Sequence, residues 1–579
     1  MNWNSFRSVF LGGLAVIAAM TWSPLNAEDG PTRQQLQQEL TRLRMEMQQL
    51  KEDFRAFQEA VRRGPVRPEK LSITGFNVEG SSIDKETLDE KLQSLTEKKL
   101  TLDQLQIQAR TKIQEAYLDI GVRGVQVIIP PQEITDQPLT VEVTEPKLGF
   151  LAIEGNRFFG DKNIRRFFEG KITTPEGMLV ARDLEAQLDS ANRHPDRQVT
   201  AVLQPGDEPG VSDITLKVRE RKPLHGYTPF HYSLGWSTSG TPNVGRLRLS
   251  NTFQYTNLFD RDHIVSVNWV MNPGNFREVH VIGTSYRIPF VNSGHAFTLF
   301  GGYSRTATNV VIDSLEITGD GHNVGGNFTF KMPKFWTIES SATFGVSYSQ
   351  SNNSLEFGTF TVIESEIGQL PFDFRYSWQK RDTWGTTLGY LYTKWNPGNL
   401  VSNGARENFE QFREDANSSY IKYRVGVQRY QRLAAGWTLH MRFDGQYTDD
   451  ELIPGEQFRL GGASNVRGYE SGEVSGDRGF MVRTEFRTPP LFKHFSRLFK
   501  EEKQETTHLV GFVDYGLAKL EKPIRGDPNE TDLAGAGFGL RYQFSEYFVG
   551  TIDFAWALMQ GSVTSTGDAI AHVNLQISF

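Results

Sequence analysis

The sequence predicts a mainly β protein, in which a transmembrane antiparallel β-barrel of about 16 strands follows two βααββ units and an N-terminal helix. Three observations predict this fold. Apolar and polar residues alternate from residue 224 to residue 579, and a strand-helix-helix-strand-strand pattern occurs at residues 71–145 and again at residues 146–221. Residues 31–62 carry a regular heptad pattern.

The composition favours membrane-spanning strands over membrane-spanning helices. Glycine (54 residues) and phenylalanine (40 residues) are abundant, and aromatic residues make up 12% of the 579-residue chain, whereas the mean hydropathy is −0.44. Aromatic-rich segments therefore coexist with a polar remainder, as alternating strands require. The net charge of −7 is modest and the basic residues are scattered, which gives nucleic-acid binding no support. Since cysteine is absent, neither disulfides nor thiolate ligands stabilise the fold.

The first 27 residues have the pattern of a secretory signal peptide. Arg7 precedes an apolar run from Val9 to Trp22, and Ala27 follows at a small-residue cleavage position. The run is shorter than the ~20 residues that span a bilayer, so a membrane anchor is the weaker interpretation. The mature chain is expected to begin near Glu28.

Residues 31–62 predict one long amphipathic helix. Its apolar residues alternate four-residue and three-residue steps without interruption, which is a heptad pattern of about four repeats. This seam consists of Leu36, Leu40, Leu43, Met47, Leu50, Phe54, Phe57 and Val61. Pro65 and Pro68 stop the helix, and residues 63–70 are expected to form a short, stiff linker.

Residues 71–145 and 146–221 repeat one order of elements. Each range begins with a strand, "LSITGFNVEG" in the first and "LGFLAIEGN" in the second, continues with two amphipathic helices and ends with two strands. Each unit can pack its two helices on one face of a small sheet. The sequence therefore predicts two βααββ domains in tandem.

From residue 224 onwards the helical period disappears and short alternating segments follow to the C-terminus. In "WTLHMRFDGQY", residues 437–447, apolar and aromatic side chains alternate with polar or charged ones. No helices intervene to cover the apolar face over roughly 350 residues, so a closed barrel is expected, with apolar side chains toward lipid and polar ones toward an aqueous lumen. At ~10 residues per strand plus turns and loops, the segment accommodates about 16 strands.

The last segment, "AHVNLQISF", places Val573, Leu575, Ile577 and Phe579 on one face and ends on the aromatic residue. A terminal strand that ends in Phe resembles the signal by which bacterial outer-membrane barrels are delivered to their assembly machinery. Phe579 is therefore the expected assembly signal, and an ordinary edge strand is the alternative.

The chain resembles the two-partner-secretion transporters of the TpsB family (the FhaC, ShlB and hemolysin-activator type), within the superfamily of POTRA-bearing barrels that includes BamA. In the first βααββ unit the resemblance rests on the proline-glutamine turn and following strand "IIPPQEITDQPLTVEV", and in the second on "LGFLAIEGNRFF". In the barrel segment, "YRIPF" (Tyr286–Phe290) is similar to a recurrent strand end of the family. The resemblance identifies the two units as POTRA domains.

A long Gly-rich loop, residues 448–478, carries the loop motif of this superfamily. The motif is Val466, Arg467, Gly468 and Tyr469, and its expected partner is the F-x-D-x-G motif of a following strand, Phe512, Asp514 and Gly516. Nothing in a loop of this composition is expected to pack, and its ordering entropy is large. A guanidinium that meets a carboxylate of the barrel wall would anchor the tip of the loop in the lumen.

The resemblance implies an outer-membrane translocator whose periplasmic POTRA domains recognise an unfolded exoprotein and whose barrel exports it. The implied partners are that secreted exoprotein, outer-membrane lipid and the barrel-assembly machinery during biogenesis, while residues 31–62 suggest an oligomer or a helical partner. A barrel-assembly factor of the BamA or TamA type is the alternative. A passive porin would not need two POTRA domains.

The sequence does not support an enzyme, a cofactor or a metal site. No G-x-x-x-x-G-K-[ST], H-E-x-x-H or G-x-S-x-G motif occurs. His225 and His231 are the closest pair of histidines, and without cysteines or neighbouring carboxylates they are expected at the membrane interface. Energy for export would come from the folding of the exoprotein outside the cell.

Three interpretations of residues 31–62 remain open: a periplasmic coiled coil, a plug in the barrel lumen, which the resemblance implies for this position, and a free solvated helix. A plug in a polar lumen has no need of an uninterrupted apolar seam. A helix of ~45 Å is also longer than a barrel through a hydrocarbon core of ~30 Å requires. The seam therefore favours the coiled coil.

A peptide of residues 31–61 is expected to become more helical at higher concentration and to sediment as an oligomer. Leu43→Asp combined with Leu50→Asp should abolish both effects, because the two charges fall within the apolar seam. Circular dichroism and analytical ultracentrifugation measure them. A peptide that stays monomeric, together with increased antibiotic leakage when the segment is deleted from the full protein, would favour the plug.

Overall fold

The computed structural model describes residues 51, 70–71, 73–98, 100–132, 138–208, 210–221, 229–241, 245–274, 279–291, 293–305, 310–312, 315–317, 320–357, 360–491, 505–523 and 528–579. The expected signal peptide (residues 1–27), the seam residues from Leu36 to Val61 and the linker up to residue 69 lie outside the described residues. Among the residues described, no helix is long and apolar enough to cross a membrane.

The first predicted domain has the expected strand, two helices and two strands in order, together with a two-stranded pairing of residues 70–71 with residues 100–101 that the sequence pattern does not predict. Its elements are β1 (Lys70–Leu71), β2 (Phe76–Glu79), α1 (Lys85–Thr96), β3 (Leu100–Thr101), α2 (Leu102–Asp119), β4 (Gln126–Ile128) and β5 (Leu139–Thr144). Strand β5 lies between β2 and β4 in a three-stranded sheet, and its residues alternate between buried and more exposed positions. On α1, Leu88, Leu92 and Leu95 are buried at spacings of four and three residues, which places them on one face of the helix.

The second domain repeats the arrangement. It consists of β6 (Lys147–Glu154), α3 (Asp161–Phe168), α4 (Ala181–Ala191), β7 (Arg197–Pro205) and β8 (Val211–Glu220). Strand β8 is central, parallel to β6 and antiparallel to β7. The core forms where Ile164, Phe167 and Phe168 of α3 pack with Ile214 and Leu216 of β8.

Strands dominate the remainder of the described chain. They are β9 (Phe230–Ser237), β10 (Arg248–Leu258), β11 (His263–Met271), β12 (His280–Pro289), β13 (Ala296–Arg305), β14 (Val310–Ile312), β15 (Leu315–Ile317), β16 (Asp320–Lys331), β17 (Ile338–Phe357), β18 (Phe360–Gln369), β19 (Phe372–Asp382), β20 (Gly385–Pro397), β21 (Ser419–Arg432), β22 (Thr438–Tyr447), β23 (Phe458–Leu460), β24 (Val474–Gly476), β25 (Arg478–Arg487), β26 (Glu505–Lys519), β27 (Glu530–Phe544), β28 (Phe548–Ala557) and β29 (Ala569–Ser578). A short helix, α5 (Arg406–Glu410), precedes β21, and a 3-10 turn at Ala434–Gly436 precedes β22.

These strands form a closed antiparallel barrel, which confirms the predicted fold class. The order within the described residues is β9 to β13, β16 to β22 and β25 to β29, after which β29 pairs with β9. The long strand β17 pairs with β19 along Ile338–Val346 and with β18 from Ser349 onwards. Strands β18 and β19 are therefore two parts of one wall strand, and the barrel has 16 strands.

Side chains alternate between the outside and the lumen of the barrel. On β22, Met441, Phe443 and Tyr447 point outward and are 39%, 37% and 50% exposed, whereas Asp444 and Gln446 are buried on the opposite face. The lumen contains a cavity of about 1340 Å³ whose lining side chains are mostly polar or charged. This alternation is the pattern that a barrel needs between lipid and water.

A buried ion pair connects the second domain to the turn between β10 and β11. The guanidinium of Arg197 donates to both carboxylate oxygens of Asp262 at 2.7 Å, and Asn163 donates to the same carboxylate at 2.9 Å. Burial by itself raises the pKa of Asp262, but Arg197 outweighs burial and holds the pKa below its usual value. Because both side chains are almost fully buried, the pair fixes the second domain on the barrel.

The C-terminal residue extends the strand pairing that closes the barrel. Strand β29 pairs with β9 from Asn574 to Ser578, and the N–H of Phe579 donates to the carbonyl oxygen of Tyr232 at 2.8 Å. The two rings stack with their centroids 5.8 Å apart. The role of Phe579 as an assembly signal stays a prediction.

Asp262→Asn is expected to destabilise the contact between the second domain and the barrel by ~3–5 kcal/mol, because Arg197 keeps its charge in a buried site without a counter-ion. The pKa of Asp262 is lowered in the folded protein, so the contribution of the pair is present above the carboxyl pKa of the unfolded chain and is lost as pH falls through the folded-state value. Calorimetry across the acid range measures both effects.

The matched control for this prediction is Glu185→Gln, which removes an exposed ion pair with Arg123 whose side chains are 62% and 64% exposed. It is expected to change stability by less than ~1 kcal/mol. Equal losses in the two variants would show that burial of the Arg197 pair contributes nothing.

Candidate functional site

The loop between β22 and β25, residues 448–477, folds back into the barrel lumen. Within it, β23 pairs with β24, so that Leu460 lies opposite Val474. Apolar residues of the loop are buried against the barrel wall: Phe458, Leu460, Val466, Tyr469 and Val474 pack with Met481, Ala518, Leu533 and Ala557. The expectation that nothing in this loop packs is therefore wrong, because a hairpin stem and an apolar cluster also hold it.

Arg467 at the tip of the loop is completely buried and binds Asp514 of β26 through two hydrogen bonds. Its Nε donates to Oδ2 at 2.6 Å and its Nη2 donates to Oδ1 at 2.7 Å. The backbone N–H of Arg467 donates to the same carboxylate at 3.2 Å. The guanidinium carbon also lies 3.4 Å from the ring centroid of Phe512, which is a cation–π contact. The structure thus brings Arg467, Phe512 and Asp514 together.

Two glycines of the motifs provide the space for this approach. A Cβ at Gly516 would lie 2.7 Å from Cδ2 of Leu460 and 3.0 Å from Cγ2 of Val466. Gly468 has a φ of +96°, and a Cβ there would lie 2.8 Å from the backbone carbon of Trp556. Any larger residue at either position would push the loop away from the wall.

Two carboxylates that the sequence analysis did not identify complete the surroundings of Arg467. Its Nη1 donates to Oε1 of Glu485 on β25 at 2.7 Å and to Oδ2 of Asp553 on β28 at 3.3 Å. Arg541 of β27 donates to Glu485 at 2.8 Å and to Asp553 at 2.6 Å. We call Arg467, Glu485, Asp514, Arg541 and Asp553 the Arg467 cluster. Removing one buried partner would leave uncompensated charge.

The remaining residue of the loop motif, Tyr469, contacts the backbone of the wall. Its hydroxyl lies 2.8 Å from the carbonyl oxygen of Ala534 and 3.0 Å from that of Met559, and it accepts a hydrogen bond from the N–H of Met559 at 3.1 Å. The N–H of Gly468 donates to Nε2 of His572 at 3.3 Å. All four residues of the loop motif therefore contact the barrel wall.

Charged contacts also hold both ends of the loop. Near its start, Glu456 binds Lys394 and Lys422 at 2.6 Å each. Burial by itself raises the pKa of Glu456, but the two ammonium groups outweigh burial and lower the pKa to about 2. At its end, Asp477 accepts two hydrogen bonds from Arg413 at 2.6 and 2.8 Å. The loop is thus anchored at its two ends and at its tip.

His225, one member of the candidate histidine pair, lies outside the described residues. His231 lies 2.8 Å from Asp196, so the expectation that it has no neighbouring carboxylate is wrong. Asp196 is 35 residues away in sequence and belongs to the second βααββ domain. Among the residues described, no group of three or more His, Cys, Asp or Glu side chains is placed to hold a metal ion.

A closed barrel, two βααββ domains ahead of it and a lumen loop anchored to the wall define an outer-membrane transporter with POTRA domains. The family model "Haemolysin secretion/activation protein ShlB/FhaC/HecB" matches residues 210–542, more than half of the chain, and the model "POTRA domain, ShlB-type" matches residues 71–146. The chain belongs to the haemolysin secretion/activation family. It is a two-partner-secretion transporter of the outer membrane, with its N-terminal domains in the periplasm.

Similar proteins agree with this assignment. The heme/hemopexin transporter protein HuxB of Haemophilus influenzae (strain 86-028NP) is 23% identical over 444 residues, which are 74% of this chain and 73% of HuxB. The hemolysin transporter protein HpmB of Proteus mirabilis is 25% identical over 381 residues, 63% of this chain and 62% of HpmB. The structure of CdiB from Escherichia coli has a TM-score of 0.62 at 16% identity and covers 96% of this chain and 100% of CdiB. The relatives favour the transporter over a barrel-assembly factor.

Arg467→Ala and Asp514→Ala are each expected to destabilise the anchored loop by ~3–5 kcal/mol, because each leaves a buried charge without its main partner. The double variant should be no worse than the more damaging single variant, since residues in direct contact are not additive. The measurement is the midpoint of heat-modifiable electrophoretic mobility in detergent. Arg406→Ala, at a side chain that is 56% exposed, is the matched control, and additive losses would refute the pairing.

Proposed function

We propose that this chain binds an unfolded exoprotein at its periplasmic POTRA domains and exports it through the barrel lumen, and that the loop anchored by Arg467 controls this passage. The observation that carries the proposal is the complete burial of Arg467 among three carboxylates of the wall. Apolar packing would hold a purely structural loop at least as well, because desolvating ions offsets much of their attraction. Ionic anchoring instead holds the loop in one position, from which an incoming chain can displace it.

The lumen offers a route for an extended polypeptide. Beside the loop, the cavity of about 1340 Å³ is lined largely by polar side chains, which replace part of the water around peptide groups. An extended chain rises ~3.3–3.6 Å per residue, so about nine residues cross a hydrocarbon core of ~30 Å. Folding of the exoprotein outside the cell gives this movement its direction.

Recognition in the periplasm is assigned to the sheet edges of the POTRA domains. In the second domain, β6 and β7 are the two edge strands. They carry exposed apolar side chains, Phe150 at 65% and Leu203 at 53%. An unfolded segment can add to such an edge through backbone hydrogen bonds, while the apolar side chains contribute further contact area.

Two further partners belong to this proposal. Phe579, stacked on Tyr232 at the closing strand pair, is the element that the barrel-assembly machinery recognises during biogenesis. The heptad seam of residues 31–62 provides pairing with a second copy or another helix. Neither partner is required for the export path itself.

Deleting this chain in its host is expected to remove one large exoprotein from the culture fluid and cell surface, as measured by quantitative mass spectrometry. Wild type and Arg406→Ala should restore that exoprotein. Arg467→Ala should restore less than about a tenth of it at equal abundance in the outer membrane, because the loop loses the anchor that sets its resting position.

Other outcomes identify other functions. Loss of many outer-membrane barrels instead of one exoprotein would indicate a barrel-assembly factor. An unchanged set of exported proteins would refute the export proposal. Full restoration by Arg467→Ala would confine Arg467 to a structural role.

A further inference from the structure

The lumen wall has two chemically different sides. Among the described lumen-lining strand residues, β19–β22 contribute six ionised side chains, and four more come from β25–β28. The six are Asp373, Arg375, Lys394, Arg424, Arg442 and Asp444. By contrast, the described lining residues of β9–β18 include only two ionised side chains, Arg248 and Arg287. Arg248 begins β10 and Arg287 lies near the end of β12, so they are near opposite ends of the barrel.

Between these two arginines the wall is lined mainly by hydroxyl and amide groups. Its lining residues include Ser266 on β11, Thr298 on β13, Asn327 and Thr329 on β16, and Thr343 and Ser347 on β17. The hydroxyls of Thr329 and Thr343 lie 3.1 Å apart across neighbouring strands. We call β11–β13, β16 and β17 the uncharged wall, because Arg287, near one end of β12, is the one ionised side chain among its described lining residues. Its side chains offer neutral hydrogen bonds to whatever passes.

The loop lies on the other side of the lumen. Glu456 is bound to Lys394 of β20 and Lys422 of β21, and the Arg467 cluster joins the tip to β25–β28. The ionised side chains of the wall are thus used largely to hold the loop and one another. The uncharged wall is the side that these anchors leave open.

A transported chain needs contacts that form and break in succession. A hydrogen bond between neutral groups is weaker than one to an ionised group. Passage through a pore requires binding that is weak and repeated, so that a segment can leave as easily as it enters. Neutral side chains meet this requirement, and fixed charges would retain segments of opposite sign.

We propose that the exported chain crosses the lumen along the uncharged wall, and that this wall selects uncharged polar segments, rich in hydroxyl and amide side chains, over charged ones. A charged segment would lose hydration there without meeting a counter-ion. The inference rests on the proposed export function and adds to it the path and the chemical class of the segment in transit.

The test uses the purified full-length protein in planar lipid bilayers with two synthetic 24-residue peptides. One repeats Ser-Asn-Gly-Thr and the other repeats Ser-Lys-Gly-Glu, so both have no net side-chain charge. The uncharged peptide is expected to block the ion current about tenfold more often at equal concentration, the effect of a hydrogen-bond-sized difference in binding.

Two matched variants locate the path. Ser347→Glu places a charge on the uncharged wall and should reduce the preference for the uncharged peptide at least about fivefold. Thr551→Glu places the same charge at a lumen-lining position of β28 and should leave the preference unchanged. Heat-modifiable mobility in detergent verifies that both variants form the barrel.

Equal blockade by the two peptides, equal effects of the two variants, or no blockade by either peptide in channels that conduct ions would each overturn the proposal. The export function is tested separately, by deletion of the chain. Loss of the exoprotein on deletion of the chain, combined with equal blockade by the two peptides, would support the export function and refute the proposed path. A peptide preference that Ser347→Glu removes, without loss of any exoprotein on deletion of the chain, would support the selectivity of the uncharged wall and refute export.

Discussion

The bidentate pair between Arg467 and Asp514 is the contact on which the arrangement of the lumen depends. It joins the tip of the 30-residue lumen loop to the middle of strand β26. Glu485 and Asp553 place two more carboxylates around the same guanidinium. With the tip fixed there, the hairpin stem packs on β25–β28 and Glu456 reaches Lys394 and Lys422. The position of the loop then decides which side of the lumen remains available to a passing chain.

The same chemistry recurs where the second βααββ domain meets the barrel. Arg197 and Asp262 form a buried bidentate pair, as Arg467 and Asp514 do, but Arg197 begins a strand of a packed sheet. The Arg197–Asp262 pair joins two compact elements, whereas the Arg467–Asp514 pair joins a loop to the barrel wall. A planar guanidinium that binds a carboxylate at two points fixes orientation as well as distance. Both pairs therefore fix the orientation of the elements that they join.

Much of this architecture follows from the sequence because the responsible patterns are local. Alternation along single strands predicts the barrel, and the repeated order of elements predicts the two βααββ domains. Arg467 and Asp514 were recognisable because each lies in its own short motif. Glu485 and Asp553 were not, because alternation shows that a strand residue faces the lumen but does not give the register between strands.

Other features escaped sequence reasoning for equally physical reasons. The stem strands β23 and β24 have three residues each, which is too few to show a period among glycines and serines, so the sequence does not reveal that the loop packs. The contact of His231 with Asp196 joins two domains that the sequence treats separately. The break between β18 and β19 contains Pro371, which lacks the N–H that a continuous ladder would use. The position of this break depends on the pairing of β18 and β19 with the two parts of β17.

The chain positions of the Arg467 cluster also bear on how the barrel is built. Arg467 is separated by 18 residues from Glu485, by 47 from Asp514 and by 86 from Asp553, whereas the contact between Ser233 and Ser578 at the closing strands spans 345 residues. Chain entropy opposes contacts between distant residues more than contacts between near ones. The lumen loop is thus favoured to dock on a partly formed sheet, which then curls around the docked loop.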